Sequence, residues 1–225
     1  MDSILLIDKP KGITSAKAVA LVKRRFNVKV GHTGTLDPLA TGLLILLTGK
    51  RTKQAGTFLH MDKTYQVRAI FGMTTTTYDV AGDVVKTCDR VVSREEIEDA
   101  LKTFVGELLQ VPPAYSAKKI SGKKAYELAR QGVEVEIPAS KVTAYSLRLL
   151  EYDYPNFRLE CEVSSGFYVR SLVHDLGERL GVGATVEEVR RMRVGAFRIE
   201  DAVSLDALLE EEPSLVVAAP VPPQV

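Results

Sequence analysis

Gly31-His32-Thr33-Gly34-Thr35-Leu36-Asp37-Pro38-Leu39-Ala40-Thr41-Gly42 runs directly into Leu43-Leu44-Ile45-Leu46-Leu47. From Lys29 to Ala40 no apolar residue recurs at helical spacing, and Gly31, Gly34 and Pro38 interrupt the chain, so a loop is predicted there. The five apolar residues that follow read as a buried strand or as the core of a short helix. One acid, Asp37, thus lies among three glycines, with a histidine and two threonines before it, next to an apolar element able to hold it. Glycine permits close approach of backbone to ligand, and Pro38 stiffens the chain beside the carboxylate. A nucleotide-gripping site needs these features, but an Asp-Pro pair is equally the mark of a turn.

Outward from this loop the pattern is mixed. Ser3 to Ile7 reads as a strand ending at the turn Asp8-Lys9-Pro10-Lys11-Gly12, and Val19, Val22 and Phe26 mark a helix capped by Thr14 or Ser15. Tyr65 to Phe71 alternates like a strand, with Gly82-Asp83 as the turn of a strand pair. Ser93-Arg94-Glu95-Glu96 is a capping box opening a helix through about Phe104. Pro112 to Lys124 is a loop, Ala125 to Arg130 one or two helical turns, and Lys141 to Glu151 and Phe157 to Ser164 are partner strands. Val169 to Leu180 is a helix stopped by Gly181 and Gly183, and Thr185-Val186-Glu187-Glu188 carries the signature of a further helix start. A strand at Ala196 to Ile199, a short helix near Leu205 to Leu209 and a Pro-rich tail from Pro213 complete the chain. Strands with intermittent helices predict an α+β protein rather than a strictly alternating doubly wound one.

Composition narrows the function classes. The 225 residues carry 45% hydrophobic and 26% charged side chains, as ordinary globular proteins do. No run of about 18 apolar residues is present to span a bilayer, nor is there a signal-peptide pattern, so a cytoplasmic protein is expected. Cys88 and Cys161 have no Cys or His nearby at metal-ligand spacing, and His32, His60 and His174 are dispersed, so neither a metal site nor a disulfide framework is expected. Gly49-Lys50-Arg51-Thr52 lacks the phosphate-loop spacing, and no GxGxxG or HExxH occurs. The net charge of +1 hides an asymmetry: residues 1–60 hold ten Lys or Arg against three Asp, leaving the remainder acidic. A basic face for nucleic-acid phosphates is compatible with that distribution, as is a surface of scattered charges.

Four segments together resemble one family. Ile4 to Ser15 and Gly31 to Gly42 are similar to the two N-terminal motifs of the TruB family of tRNA pseudouridine synthases; Pro112-Pro113-Ala114-Tyr115-Ser116-Ala117-Lys118-Lys119 with Gly122 and Tyr126, and Gly166-Phe167-Tyr168-Val169-Arg170-Ser171-Leu172, are similar to its later ones. The resemblance covers about residues 3–205. It implies the pseudouridine synthase fold, a mixed, mainly antiparallel central sheet flanked by helices and loops. It also implies isomerisation of uridine 55 in the T-arm loop of tRNA, with no cofactor, by a monomer that needs no protein partner. Asp37 would attack the ribose or remove a proton from it, and Arg170 would be its salt-bridge partner. Tyr65 would stack on the flipped base and help take the C5 proton. His32 would fill the space left in the RNA loop, and Thr35, Lys9, Tyr168 and Val189 would belong to the RNA-binding surface.

Departures accompany the match. Where the family commonly has Asp-Thr-x-Asp, this chain has Thr76-Thr77-Tyr78-Asp79; Ser165 and Phe167 replace Lys and Thr, and Val189 replaces a leucine. Bacterial members usually continue into a PUA-type RNA-binding domain, so the expected organisation is a catalytic domain over 1–212 and a flexible tail over 213–225, without PUA. Three alternatives accompany the synthase: a non-enzymatic RNA-binding protein on the same fold, a guide-RNA-dependent catalytic subunit, and a hydrolase using paired carboxylates. Leu39-Ala40-Thr41-Gly42 resembles the stand-alone bacterial form, and no second acid is marked out for a hydrolase.

Overall fold

The computed structural model describes residues 2–116, 118–120, 122–129, 131 and 136–210. The chain runs through β1 (Ile4–Lys9), α1 (Ser15–Phe26), β2 (Val30–His32), β3 (Thr41–Thr48), a 3₁₀ turn, α2 (Ala55–Leu59), β4 (Lys63–Phe71), β5 (Met73–Thr75), β6 (Val84–Thr87) and α3 (Arg94–Lys102). It continues through β7 (Gly106–Gln110), β8 (Lys119–Ile120), β9 (Lys123–Lys124), α4 (Ala125–Ala129), β10 (Ser140–Asp153), β11 (Asn156–Val163) and α5 (Val169–Arg179). The last elements are β12 (Ala184–Val194), β13 (Phe197–Arg198), a second 3₁₀ turn, β14 (Val203–Ser204) and α6 (Leu205–Glu210). These elements make an α+β protein whose strand pairing is mixed and mainly antiparallel. The tail expected from residue 213 lies outside the described residues, as does Arg130 at the end of the expected short helix.

Two compact units divide the chain, one formed by Met1–Tyr65 with the chain from Arg190 onward, the other by Gln66–Val189. In the first, β3 pairs antiparallel with β1 and β2 and parallel with the end of β12, where Arg190 and Arg191 face Thr41 and Gly42. Gly42 to Thr48 are all buried, which is why five consecutive apolar residues form a strand here rather than an alternating one. Ile4, Leu6, Leu43, Ile45, Leu47, Phe58, Val194 and Phe197 form one cluster. Each fully buried side chain of this size contributes about 1.5–3 kcal/mol. Thr14 caps α1 by accepting from the Lys17 amide, as the sequence predicts.

In the second unit the long β10 pairs antiparallel with β7 and β11, and Phe71 stacks on Phe157 at 4.1 Å between centroids. The expected capping box of Ser93 and Glu96 is present and opens α3. α5 runs close to the start of β12: a Cβ on Gly177 would lie 2.1 Å from the Ala184 amide nitrogen, so only glycine fits.

Three expectations are overturned: Val30–His32, expected within a loop, form β2 against residues 46–48, and the loop expected over 112–124 contains the short strand pair β8 and β9. Thr185-Val186-Glu187-Glu188, the third, does not open a helix but lies within β12. Val186, Val189 and Val194 are buried along that strand, and β-branched side chains favour the extended chain when a partner covers them. The T-x-x-E spacing of a capping box is met there without its conformation.

Candidate active site

In the first unit, the loop carrying Asp37 is held at every turn. Ser15 Oγ accepts from the Leu36 amide at 2.9 Å and donates to the Leu36 carbonyl at 3.0 Å. The Gly12 amide donates to the Pro38 carbonyl at 2.8 Å, and the Ala40 amide closes a turn onto the Asp37 carbonyl at 3.0 Å. The two N-terminal motifs are therefore one structural piece: the helix-opening Ser15 and the turn after β1 grip the residues on both sides of Asp37. The Asp37 side chain is half-buried, and Thr35 beside it is exposed.

Three buried cations surround this loop. Lys9 is 0% exposed and donates to the Pro10 and Ile13 carbonyls at 2.8 Å, so it braces the turn after β1. Burial pulls its ammonium down to about 8, a shift opposed by the Asp37 carboxylate and reinforced by Arg191. Arg191, 1% exposed, donates from Nε to the Leu43 carbonyl at 2.7 Å and from Nη2 to the Gly34 carbonyl at 3.1 Å, tying together both ends of the Asp37 loop. Gly42 makes that approach possible, since a Cβ there would sit 2.4 Å from the Arg191 carbonyl oxygen. Lys63 donates to the Leu59 and Met61 carbonyls, and its stem lies against Gly34. Tyr65 follows two residues later in β4, on the same face as Lys63, and is 9% exposed. His32 ends β2 opposite Leu46.

The Lys63 ammonium is likewise lowered to about 8, first by burial and then by Arg191, with Asp62 opposing. Because the unfolded chain holds its proton up to about pH 10.5, folding releases a proton between the two values and stability rises with pH across that window. The thermal unfolding midpoint is therefore expected to gain more between about pH 7.5 and 9.5 in the wild type than in Lys63→Met. Equal pH responses in the two proteins would contradict a buried, charged Lys63.

In the second unit, Arg170 projects from the first turn of α5 and is 6% exposed. Nη1 donates to the Thr77 carbonyl at 2.9 Å and lies 3.5 Å from Asp79 Oδ2, while Nη2 donates to the Tyr115 carbonyl at 2.8 Å. Asp79 is itself fixed, because its Oδ1 accepts from Thr77 Oγ1 at 2.7 Å and from the Ala81 amide at 3.0 Å. Tyr168, at the entrance to α5, exchanges two backbone hydrogen bonds with the Gln110 side-chain amide. Ser171 Oγ donates to the Val111 carbonyl at 2.8 Å. The Pro112 loop and the Gly166 motif, separate in sequence, thus meet at the start of α5. Val189 is buried in β12.

The family model for the N-terminal domain of TruB family pseudouridylate synthases matches residues 21–169. The chain belongs to the TruB family. A second model, the C-terminal domain of tRNA pseudouridylate synthase B, matches residues 170–214. Among curated relatives, tRNA pseudouridine synthase B of Aquifex aeolicus (strain VF5) is 48% identical over 94% of this chain and 75% of its own. The protein of the same name from Chlamydia trachomatis serovar L2 (strain ATCC VR-902B / DSM 19102 / 434/Bu) is 42% identical over 97% of this chain and 90% of its own. Among solved structures, a chain of a Cbf5-Nop10-Gar1 complex superposes with a TM-score of 0.73 at 30% identity, over 92% of this chain and 54% of its own. A chain of an H/ACA RNP bound to a substrate RNA containing 2′-deoxyuridine gives 0.69 at 28% identity, again over 92% of this chain and 52% of its own. This TruB chain therefore spans about half the length of those two solved chains, and its fold is that of pseudouridine synthases.

Two supporting residues, one in each unit, are hidden or only half-visible in the sequence. Arg191 stands second in Arg190-Arg191-Met192-Arg193, where nothing local separates the buried guanidinium from its neighbours; Arg190, by contrast, reaches outward to form a two-point ion pair with Asp8 at 2.7 and 3.0 Å. Asp79 was legible only as the surviving acid of a four-residue pattern, and its ion pair with Arg170 required the fold. Among the described residues no group of three or more His, Cys, Asp or Glu could hold a metal ion.

Proposed function

We propose that this protein converts uridine 55 in the T-arm loop of tRNA to pseudouridine, with Asp37, Tyr65 and Arg170 as its catalytic residues. The observation that carries this reading is the Asp37 loop of a TruB family protein held rigid by Ser15, Gly12 and Arg191, with buried cations around the carboxylate. A preorganised carboxylate in a positive field has its solvation supplied by the protein, so little reorganisation is needed when the RNA excludes water.

The reaction is an internal exchange. The N1–C1′ bond of the extruded uridine breaks, the base turns, a C5–C1′ bond forms, and the C5 proton is removed while N1 ends protonated. Atoms and electrons balance without a cofactor. Asp37 either attacks C1′ and carries the sugar covalently, or removes a proton from the ribose; in both routes it acts as the carboxylate. Arg170 would pair with it, Tyr65 would stack on the base and assist loss of the C5 proton, and His32 would occupy the space vacated in the RNA loop. Thr35, Tyr168 and Val189 would border the nucleotide, and Lys9 would brace the turn beneath it. No helix among the described residues is long and apolar enough to cross a membrane. The reading places a monomeric enzyme in the cytoplasm, with residues 1–212 as its catalytic domain and no obligatory protein partner.

The decisive test is incubation of the protein alone with unmodified tRNA transcript, followed by site mapping of pseudouridine. Modification of uridine 55 without any guide RNA is expected. A transcript left unmodified at that position while bound to the protein would favour a non-enzymatic RNA-binding protein.

A further inference from the structure

We propose that His174 and Tyr78 form a positioning clamp that holds the turn Thr77-Tyr78-Asp79 against Arg170. The inference rests on the reading of Arg170 as a catalytic residue. The Tyr78 and His174 rings lie stacked at 3.8 Å between centroids and 8° between planes. His174 stands four residues after Arg170 in α5, so both project from one face of the same helix. The guanidinium takes the backbone of the turn through the Thr77 carbonyl and its acid through Asp79. The imidazole takes the ring of the residue between them. One helix face therefore grips three consecutive residues with two side chains.

The backbone shows why the clamp is needed. Tyr78 adopts φ +62°, a left-handed conformation that side chains other than glycine rarely take. That kink folds the Asp79 side chain back to accept from Thr77 Oγ1 and the Ala81 amide, leaving Oδ2 toward Arg170. The Tyr78 amide and carbonyl bond to the Thr75 carbonyl and the Val186 amide, so the residue is fixed on both sides of the kink. Among the described residues the buried His174 Nδ1 has no hydrogen-bond partner, and the face of the ring lies on Tyr78. Burial holds the imidazole below its usual range against the opposing charges of Asp175 and Glu178, so a neutral surface meets Tyr78. A tyrosine at this point is thus not a filler in the loop but the handle by which α5 orients the acid beside Arg170.

The test compares His174→Ala, His174→Phe and Tyr78→Gly with the wild type, each measured for single-turnover rate at saturating tRNA, for tRNA dissociation constant and for thermal midpoint. His174→Ala is expected to slow the rate constant about tenfold, with dissociation constants within about twofold, because misplacement falls on the chemical step. His174→Phe, which keeps a flat ring and loses no hydrogen bond at Nδ1, is expected to restore most of the rate. Tyr78→Gly accepts φ +62° without steric cost, so its expected loss of rate isolates the missing ring from backbone strain. A His174→Ala rate within twofold of wild type, a His174→Phe enzyme as slow as His174→Ala, or a full-rate Tyr78→Gly would each overturn the clamp. An inactive wild type would instead remove the synthase reading on which it rests.

Discussion

Asp37→Asn is expected to reduce pseudouridine formation by about four orders of magnitude or more while tRNA binding stays within a few-fold of wild type. The substitution keeps the shape of the side chain and removes its charge. The hydrogen bonds described for the loop use other atoms: Ser15 grips Leu36, Gly12 grips Pro38, and Arg191 grips Gly34 and Leu43 through backbone atoms. The loop therefore keeps its course, and the loss falls on chemistry. An amide neither attacks C1′ nor takes a ribose proton, so both routes open to Asp37 fail together. Single-turnover assays with saturating enzyme separate rate from affinity. A rate within about tenfold of wild type would remove Asp37 from the reaction, whereas an affinity loss equal to the rate loss would make it a binding residue.

Arg170 carries the second large effect, and its two substitutions divide stability from catalysis. Arg170→Met leaves Asp79 buried without its cation and the Thr77 and Tyr115 carbonyls without their donor. Breaking a buried pair from one side costs about 3–5 kcal/mol, so a marked fall in the thermal midpoint is expected. Arg170→Lys keeps the charge but replaces a planar fork by a point donor, which cannot serve two carbonyls and a carboxylate in the same geometry. It is expected to fold, to bind tRNA and to turn over about 10²–10³ times more slowly. Full activity in Arg170→Lys would show that charge alone is required and that the fork to Thr77 and Tyr115 has no catalytic consequence.

Much of the fold is legible because its signals are local. Thr14 and the Ser93–Glu96 pair announce their helices by side chains that reach only three residues ahead, and β4 announces itself by alternation. Thr185 to Glu188 failed by the same logic: a pattern three residues long cannot report that the end of the same strand will lie beside Thr41 and Gly42. The site divides likewise. Asp37, Tyr65 and Arg170 could be singled out through family motifs. Their supports could not be placed, because Arg191, Asp79 and the Tyr78–His174 stack act through partners 91 to 157 residues away or through a backbone kink.

The hydrogen bond from Arg191 to the Gly34 carbonyl links residues 157 positions apart. During synthesis the Asp37 loop leaves the ribosome long before the guanidinium that closes it, an interval on the order of ten seconds or more at ordinary elongation rates. The intervening segment has time to organise while that loop is still open. The perch that carries Asp37 is thus completed only once the 157 residues that follow Gly34 have been made.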